Sequence, residues 1–390
     1  MDEVVVVGGG LAAVHAIQGL RDFGYERGIT LVGAEPMLPY DRPPLSKEAL
    51  RDGPDPERSL LRDPSWYENS GVTLQLGAPA LGVDGKRRLV SLGEGREVRY
   101  DGLVIATGST ARTLESLGHQ ESGARSLRTM RDAVTLHDQL KAARSLAVVG
   151  GGFIGLEVAA TAREMGLHVD VIEIAPVLLS RVLGDEVGQW FREYHERRGV
   201  RIHCGTSVEE IESGPDTSKL RLGNGTVLSA DLVVTGIGAV PAVGWLRDGP
   251  VRLAGGVVCD EYLQTGVEGV VAAGDVAQWY NPLFDETMRV EQWSNAVSQG
   301  RHAAGALLGA REPCTVVPYF WSDQFDARMR FVGRSTAASQ VEIVESSQDK
   351  LVALFGRDGA IRGALCVNAP KQLVRYRSAI EARIPWPDVV

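Results

Sequence analysis

Twice in this 390-residue chain a run of β-branched residues breaks into a glycine triplet and then into a helix-forming stretch. The first copy reads Val4-Val5-Val6-Val7-Gly8-Gly9-Gly10-Leu11-Ala12-Ala13, and the second Leu146-Ala147-Val148-Val149-Gly150-Gly151-Gly152-Phe153-Ile154-Gly155. Each is followed by another β-branched run that ends near an acid: Glu35 after Thr30-Leu31-Val32-Gly33-Ala34, and Glu173 after Val169-Asp170-Val171-Ile172. A lone glycine fingerprint is weak, but strand, turn, helix, strand and acid used twice predicts two units that each hold a dinucleotide. The first glycine of each turn (Gly8, Gly150) permits a tight bend, and the second (Gly10, Gly152) lets a pyrophosphate approach the backbone. The third position (Ala13, Gly155) must be small so that helix and strand can pack closely. Phosphates then meet free N–H groups where the helix dipole favours anions, and the acid accepts hydrogen bonds from ribose hydroxyls.

With 44% hydrophobic residues, a chain of this length can build two or three packed domains. Its apolar runs are strand-sized, so no membrane span is expected. Met1-Asp2-Glu3 leads straight into a strand without the basic and apolar regions of a secretory signal, which makes the cytoplasm the expected compartment. Cys204, Cys259, Cys314 and Cys366 are scattered, with no C-x-x-C pair, and the seven histidines are equally dispersed; no metal site is expected. A net charge of −9 argues against general nucleic-acid binding, and it obliges any acidic protein partner to find a local basic patch.

The pattern along the chain is α/β, with two Rossmann-like domains and a C-terminal α+β domain. Residues 1–108 and 235–310 read as one dinucleotide domain, interrupted by a second over 109–234, and 311–390 form the third. In the first, Leu38–Lys47 is too proline-rich for helix before Pro44, Ser46–Leu50 opens a short helix, and Leu103–Gly108 is a buried strand running into a turn. In the second, Asp185–Arg198 reads as an amphipathic helix ending at Gly199, and Leu222–Leu228 as a hairpin with an Asn-Gly turn. Asp231–Gly238 is a strand entering a glycine turn. Val270–Asp275 is another buried strand, followed by a helix of small residues over Gln292–Leu308. The last part has strands at Arg328–Gly333 and Val341–Val344 and a closing helix at Pro370–Ala382.

Taken with Tyr40-Asp41-Arg42-Pro43-Pro44-Leu45-Ser46-Lys47, Ala106-Thr107-Gly108, Leu127-Arg128-Thr129, Gly152-Phe153-Ile154-Gly155-Leu156-Glu157, Gly236-Ile237-Gly238, Ala273-Gly274-Asp275 and Phe320-Trp321-Ser322-Asp323-Gln324, the chain resembles a known family. It is similar along essentially its whole length to the flavin-dependent, putidaredoxin reductase-like ferredoxin reductases that serve bacterial cytochromes P450 and aromatic-ring dioxygenases. The resemblance implies a glutathione reductase-like pair of nucleotide domains, with FAD in the first and NADH in the second. It implies that Gly8, Gly10, Ala12 and Ala13 cradle the FAD pyrophosphate and that Glu35 binds its ribose. Arg42, Lys47 and Arg128 match positions that touch FAD, Ala80 one that reaches the adenine through its backbone, and Asp275 one that binds the ribitol. Thr107 and Gly108 belong to the same flavin site, and Trp293 falls where the family contacts the flavin ring. Gly150, Gly152, Ile154, Gly155 and Gly238 belong to the NADH site.

Three positions depart from the family pattern: Ala13 stands for the third glycine, Val14 for a small residue, and Ala242 follows Pro241 where asparagine is common. None lies in the redox chemistry. Phe153 resembles a movable aromatic gate at the nicotinamide site, with plain helix–sheet packing as the alternative. Lys47 and Glu157 resemble a pair close to flavin N5, where a cation would stabilise the reduced flavin; two unconnected surface charges are the alternative. Glu173 favours the ribose hydroxyl of NADH and repels a 2′-phosphate, and Ile174-Ala175-Pro176 offers no arginine to rescue NADPH.

The implied partner is an acidic [2Fe–2S] ferredoxin, met by Arg328, Arg330 and Arg334 on one face of a strand together with Arg311 and Lys371. Solvated strand charges are the alternative reading of those residues. Trp293 and Trp321 are candidates to line the electron route, with buried core as the alternative. A monomer or weak dimer is expected. Disulfide reductases of the same architecture need a cysteine where this chain has Pro43-Pro44-Leu45. A rubredoxin reductase, or a sensor resembling apoptosis-inducing factor, remains as an alternative function.

Overall fold

The computed structural model describes residues 1–115 and 123–386. The chain divides into two compact units: Met1–Asp41 with Pro56–Thr110 and Val240–Tyr319, and Arg42–Asp55 with Ala111–Ala239 and Phe320–Val390.

The first unit is organised by a parallel sheet in the order Val270–Ala272, Gly102–Ile105, Glu3–Val7, Gly28–Val32, Val72–Gln75. Val4 to Val7 pair with Ile29 to Val32 on one side and with Gly102 to Ile105 on the other. Strands covered on both faces read as unbroken apolar runs, and Val4, Val5, Val6 and Val7 are all buried. The helix Leu11–Asp22 lies against Trp293–Leu307. Small residues set that approach: a Cβ on Gly300 would fall 2.4 Å from the Ala12 carbonyl, and one on Gly19 3.0 Å from Ala304 Cβ. The small residues Gly300 and Ala304 are therefore a packing requirement of the helix Leu11–Asp22.

The second unit repeats the device with a parallel sheet in the order Val200–Cys204, His168–Glu173, Ser145–Val149, Leu232–Thr235, Arg125–Ser126. The helix after its glycine turn is Phe153–Glu164. The amphipathic helix runs Asp185–Glu196, and Gly199 reverses the chain at φ +82°. The Asn-Gly hairpin joins Ser218–Leu222 to Val227–Ala230, with Gly225 at φ +83°. Near Pro43 the structure differs from the sequence reading: Pro43–Ser46 is already a 3-10 turn, and Glu48–Arg51 is a separate short helix. Proline is tolerated there because a first-turn N–H has no helical partner to lose. Lys47 sits at the junction and carries neither helix's dihedrals.

An antiparallel sheet completes this unit, in the order Tyr319–Gln324, Ala327–Gly333, Ala360–Val367, Leu351–Arg357, Gln340–Ser346, with the helix Pro370–Glu381 against it. Phe331 is its aromatic centre, stacked on Phe320 at 5.2 Å and tilted against Phe355 at 5.5 Å. The helix Asp185–Glu196 is pinned to the turns of this sheet. Trp190 Nε1 donates to the Ser347 carbonyl at 2.7 Å, and the Tyr194 hydroxyl donates to Asp326. Truncating Phe331 to alanine opens a cavity between two rings and is expected to cost about 3–5 kcal/mol. Urea unfolding followed by tryptophan fluorescence should show the loss, with Phe331→Leu losing less.

Candidate functional site

In the first unit the Gly8 turn is shaped by a close backbone approach. Gly8 lies at φ +129°, and a Cβ there would fall 2.1 Å from the Ala106 carbonyl oxygen. Gly10 precedes the helix in an extended conformation and supplies no side-chain cap, so the first-turn N–H groups keep their capacity for an anion. Ala12 and Ala13 are buried in that turn, and Ala13 fills the third-glycine position without exposure. Beside Glu35, the Tyr40 hydroxyl donates to the carboxylate at 2.6 Å.

The Ala106-Thr107-Gly108 turn is tied to Ala242. Thr107 Oγ1 donates to the Ala242 carbonyl at 2.9 Å, and the Ala242 N–H donates to Gly108 O at 3.0 Å. Gly274 also comes against the nucleotide helix, where a Cβ would meet Ala12 Cβ at 2.9 Å. That contact brings Asp275 to the turn, and Ser109 Oγ donates to it at 2.9 Å. Close by, Gln292 Oε1, Asn295 Oδ1 and Gln299 Nε2 are buried without a hydrogen-bond partner, while Gln299 Oε1 holds the Gly274 N–H at 2.8 Å. An uncapped helix start, an acid and unspent polar atoms fit a polyhydroxylated dinucleotide such as FAD. Trp293 opens its helix half in solvent and donates its indole N–H to Asp41 at 2.8 Å. Ala80 begins the strand Ala80–Asp84 of a separate small sheet.

The second unit carries the parallel cradle. Gly150 lies at φ +109° with the Gly236 carbonyl 2.5 Å from its absent Cβ, and a Cβ on Gly155 would fall 2.1 Å from the Gly150 carbonyl. Gly152 begins the helix without a side-chain cap. Glu173 is buried and already oriented: Gly151 N–H donates to one carboxylate oxygen and Ala175 N–H to the other, both at 2.8 Å. Gly238, at φ +105°, accepts from the Arg112 N–H at 2.9 Å. Ile154 and Ile174 are exposed at 49% and 67%, giving the mouth apolar lips suited to the flat faces of a nucleotide. In the sequence Ile174 counts only as part of a segment without arginine; its signal is an exposed isoleucine directly after the acid that ends the strand.

Lys47 and Glu157, distant in sequence, meet in this unit at 2.8 Å. Glu157 is only 5% exposed and collects three donors: Lys47 Nζ and Ser46 Oγ (2.5 Å) on one oxygen, and Ser322 Oγ (2.6 Å) on the other. Behind Ser322 stand Gln324, whose Nε2 donates to Ser322 Oγ at 3.0 Å, and His195, 2.8 Å from Gln324 Oε1. Ser46, Ser322, Gln324 and His195 had no assigned role from sequence. Arg42 donates to the Arg128 carbonyl at 2.7 Å, and Asp132 accepts from the Arg128 N–H at 3.0 Å. Phe153 meets Phe320 edge-on at 4.8 Å. Of the basic residues, Arg330 and Arg328 both pair with Asp323, at 2.7 and 3.5 Å, and Arg334 lies beyond the strand end. Lys371, Arg375 and Arg377 are exposed on the closing helix, and Arg311 is exposed in the first unit.

The four cysteines are free, and burial pushes every thiol up, Cys314 and Cys366 to about 12. Among the described residues no cluster of His, Cys, Asp and Glu is placed to hold a metal, and no helix is long and apolar enough to cross a membrane.

The chain belongs to the pyridine nucleotide-disulphide oxidoreductase family, which it matches over residues 2–300, and carries a reductase C-terminal domain over 319–389. Within that family its relatives are electron-carrier reductases. It is 36% identical to the ferredoxin–NAD(+) reductase component of the anthranilate 1,2-dioxygenase system of Burkholderia cepacia, over 98% of this chain and 94% of the relative. It is 32% identical to the rubredoxin–NAD(+) reductase of Pseudomonas putida, over 93% of this chain and 98% of the relative. In structure it matches putidaredoxin reductase in its covalent complex with putidaredoxin, with a TM-score of 0.93 and 34% identity over 98% of this chain and 94% of that one.

Burial in the fold holds His195 neutral, with its pKa lowered from 6.5 to about 4. A depressed imidazole contributes stability that is complete above the unfolded pKa and is lost as pH falls towards the folded one. Urea midpoints should therefore drop more steeply between pH 7 and pH 5 for the wild type than for His195→Gln; equal slopes would remove His195 from the acid sensitivity.

Proposed function

We propose that the protein is an FAD-dependent NADH:ferredoxin reductase that supplies a P450 or ring-hydroxylating oxygenase. The observation that carries this reading is a pair of uncapped glycine cradles in one chain whose described cysteines are neither paired nor activated. When bound, FAD supplies the conversion between a two-electron hydride and single electrons. In this reading residues 1–108 and 235–310 form the FAD domain, 109–234 the NADH domain, and 311–390 the domain that helps to receive the ferredoxin.

The residues' own work is binding and orientation. The Gly8–Gly10 turn and the first N–H groups of Leu11–Asp22 hold the FAD pyrophosphate, Glu35 a ribose, and Asp275 the ribitol. Thr107, Gly108, Trp293 and Ala80 complete the flavin contacts, with Arg42, Lys47 and Arg128 assigned to them by family resemblance. The Gly150–Gly152 turn, Ile154, Gly155 and Gly238 receive NADH. Glu173, fixed by two backbone donors, presents its remaining acceptor capacity to the ribose hydroxyls and its charge against a 2′-phosphate. Phe153 serves as the aromatic at the nicotinamide mouth. Lys47, held at Glu157, is the cation that favours negative charge on the reduced cofactor.

The partner is proposed to be an acidic [2Fe–2S] ferredoxin, with the protein acting as a cytoplasmic monomer or weak dimer. Since Asp323 offsets Arg328 and Arg330, and Glu381 offsets Arg377, Lys371 on the closing helix is the better source of attraction. Rubredoxin as acceptor is the second reading, favoured by the rubredoxin reductase among the relatives.

Anaerobic NADH should bleach the flavin, and mixing with oxidised [2Fe–2S] ferredoxin should restore its absorbance within the turnover time. A long-lived flavin–nicotinamide charge-transfer band with no reoxidation by ferredoxin or rubredoxin would replace the reductase by a sensor resembling apoptosis-inducing factor. NADH should give the higher kcat/KM; a higher value for NADPH would sink the role of Glu173.

The ferredoxin KM should rise steeply with salt, and Lys371→Glu should raise it at low salt. A KM insensitive to ionic strength would dismiss the basic surface.

A further inference from the structure

The buried groups behind Glu157 form a hydrogen-bond chain that can run in only one direction. Gln324 bridges His195 and Ser322, and a carboxamide accepts at one end and donates at the other. The direction chosen at His195 therefore dictates the direction at Ser322. With the imidazole proton on Nε2, His195 donates to Gln324 Oε1 and Gln324 Nε2 donates to Ser322 Oγ. The Ser322 hydroxyl proton is then committed to Glu157 Oε1 at 2.6 Å.

Reversing the chain would turn the amide, put the imidazole proton on Nδ1, and aim the Ser322 hydroxyl away from Glu157. His195 Nδ1 is buried with no partner, so that proton would become an orphaned donor. Buried orphan N–H groups are rarer than under-used acceptors because leaving a donor unmade costs its full desolvation. The reversed chain would also strip a donor from a buried carboxylate. Both penalties act in the same direction.

We propose that His195 and Gln324 are positioning residues for electron transfer: the unpartnered Nδ1 fixes the polarity of the chain, which holds the Glu157 carboxylate and, through it, the Lys47 ammonium. The proposal rests on the reading of Lys47 as a group that serves flavin reduction. Four elements meet in the chain. His195 comes from Asp185–Glu196, Gln324 and Ser322 from Tyr319–Gln324, Glu157 from Phe153–Glu164, and Lys47 from the Pro43–Ser46 turn junction. Lys47 Nζ also donates to the Pro43 carbonyl at 3.0 Å, so its place follows from where Glu157 and that turn are held.

The surroundings support a neutral Nε2–H imidazole. The rings of Tyr194 and Phe325 flank His195 at 6.0 and 5.4 Å, and the nearby cation Arg198 opposes a positive charge on it. Of the acids in that region, Asp326 already accepts from Tyr194 and Arg198, and Asp349 pairs with Arg198 at 3.4 Å. On the Glu157 side, Lys47 is the ionisable group among its hydrogen-bonded neighbours, joined by the hydroxyls of Ser46 and Ser322.

The test uses the FAD-loaded enzyme labelled with 15N-histidine. The expected spectrum contains one exchange-protected imidazole that stays neutral from pH 7 to pH 5, with its proton on Nε2 and a bare Nδ1. An Nδ1–H tautomer or an imidazolium at pH 7 overturns the proposal, and neither result needs a variant to fold. In anaerobic single-turnover reduction by NADH, Ser322→Ala and Gln324→Leu should each slow flavin reduction about tenfold, the loss of one hydrogen bond to a charged group. The NADH Kd should be unchanged, and Ser322→Thr should restore the rate. Lys47→Met is the reference. If it slows reduction while Ser322→Ala and Gln324→Leu do not, the chain is no positioning device and the reading of Lys47 stands. If Lys47→Met has no effect, the reading of Lys47 fails and takes the proposal with it.

Discussion

The backbone approach behind each glycine turn governs much of this structure. At Gly8 the missing Cβ admits the Ala106 carbonyl, and at Gly150 it admits that of Gly236. In both sheets the intruding carbonyl follows the strand that pairs with the central one on the side away from the acid-bearing strand. Ala106-Thr107-Gly108 and Gly236-Ile237-Gly238 are thus one device in two dialects, each with its last glycine at positive φ. A side chain at either first glycine would separate those strands at the sheet's carboxyl edge, where open α/β sheets place their ligands. The close approach and the binding cradle are therefore not separable.

Beyond that shared turn the two cradles diverge in how they hold their acids. Glu173 is clamped by backbone N–H groups on both oxygens and buried, so its orientation is set by the fold. Glu35 receives a tyrosine hydroxyl from the segment that leads towards Pro43. A backbone clamp leaves the carboxylate little freedom to turn aside. The first cradle instead gathers Asp275, Ser109 and buried amides that each keep one unpartnered polar atom, a wider set of polar atoms suited to a larger ligand.

What the sequence makes legible follows from how local each signal is. Val4–Val7 and Leu146–Val149 declare buried parallel strands, the glycines declare the turns, and Asn224-Gly225 declares a hairpin, because each depends on adjacent residues. The Lys47–Glu157 contact was approached only through family resemblance, and its supporting groups carried no local mark. Ser322 and Gln324 alternate along a strand as ordinary polar residues would, yet both are buried. His195 sits on an amphipathic helix beside Glu196 and shows its burial only once the antiparallel sheet packs there. Pro43 misled for a physical reason: the rule that excludes proline from helix interiors does not hold in a first turn.

The Pro43–Lys47 segment carries an ion pair where a redox cysteine would otherwise stand. A disulfide reductase of this architecture would place a cysteine where the chain has Pro43-Pro44-Leu45. Here the prolines start a tight turn that hands a hydroxyl and an ammonium to one buried carboxylate oxygen. Such a cluster is costly to desolvate, and an apolar trio of similar volume would pack at least as stably. What the ionic version supplies is a fixed cation and a fixed anion beside a helix that begins at the nucleotide turn. The four cysteines are free and burial pushes their thiols up, so these charges stand beside no activated thiol pair. On the reading proposed above, a cation fixed in this way would favour negative charge on the reduced cofactor.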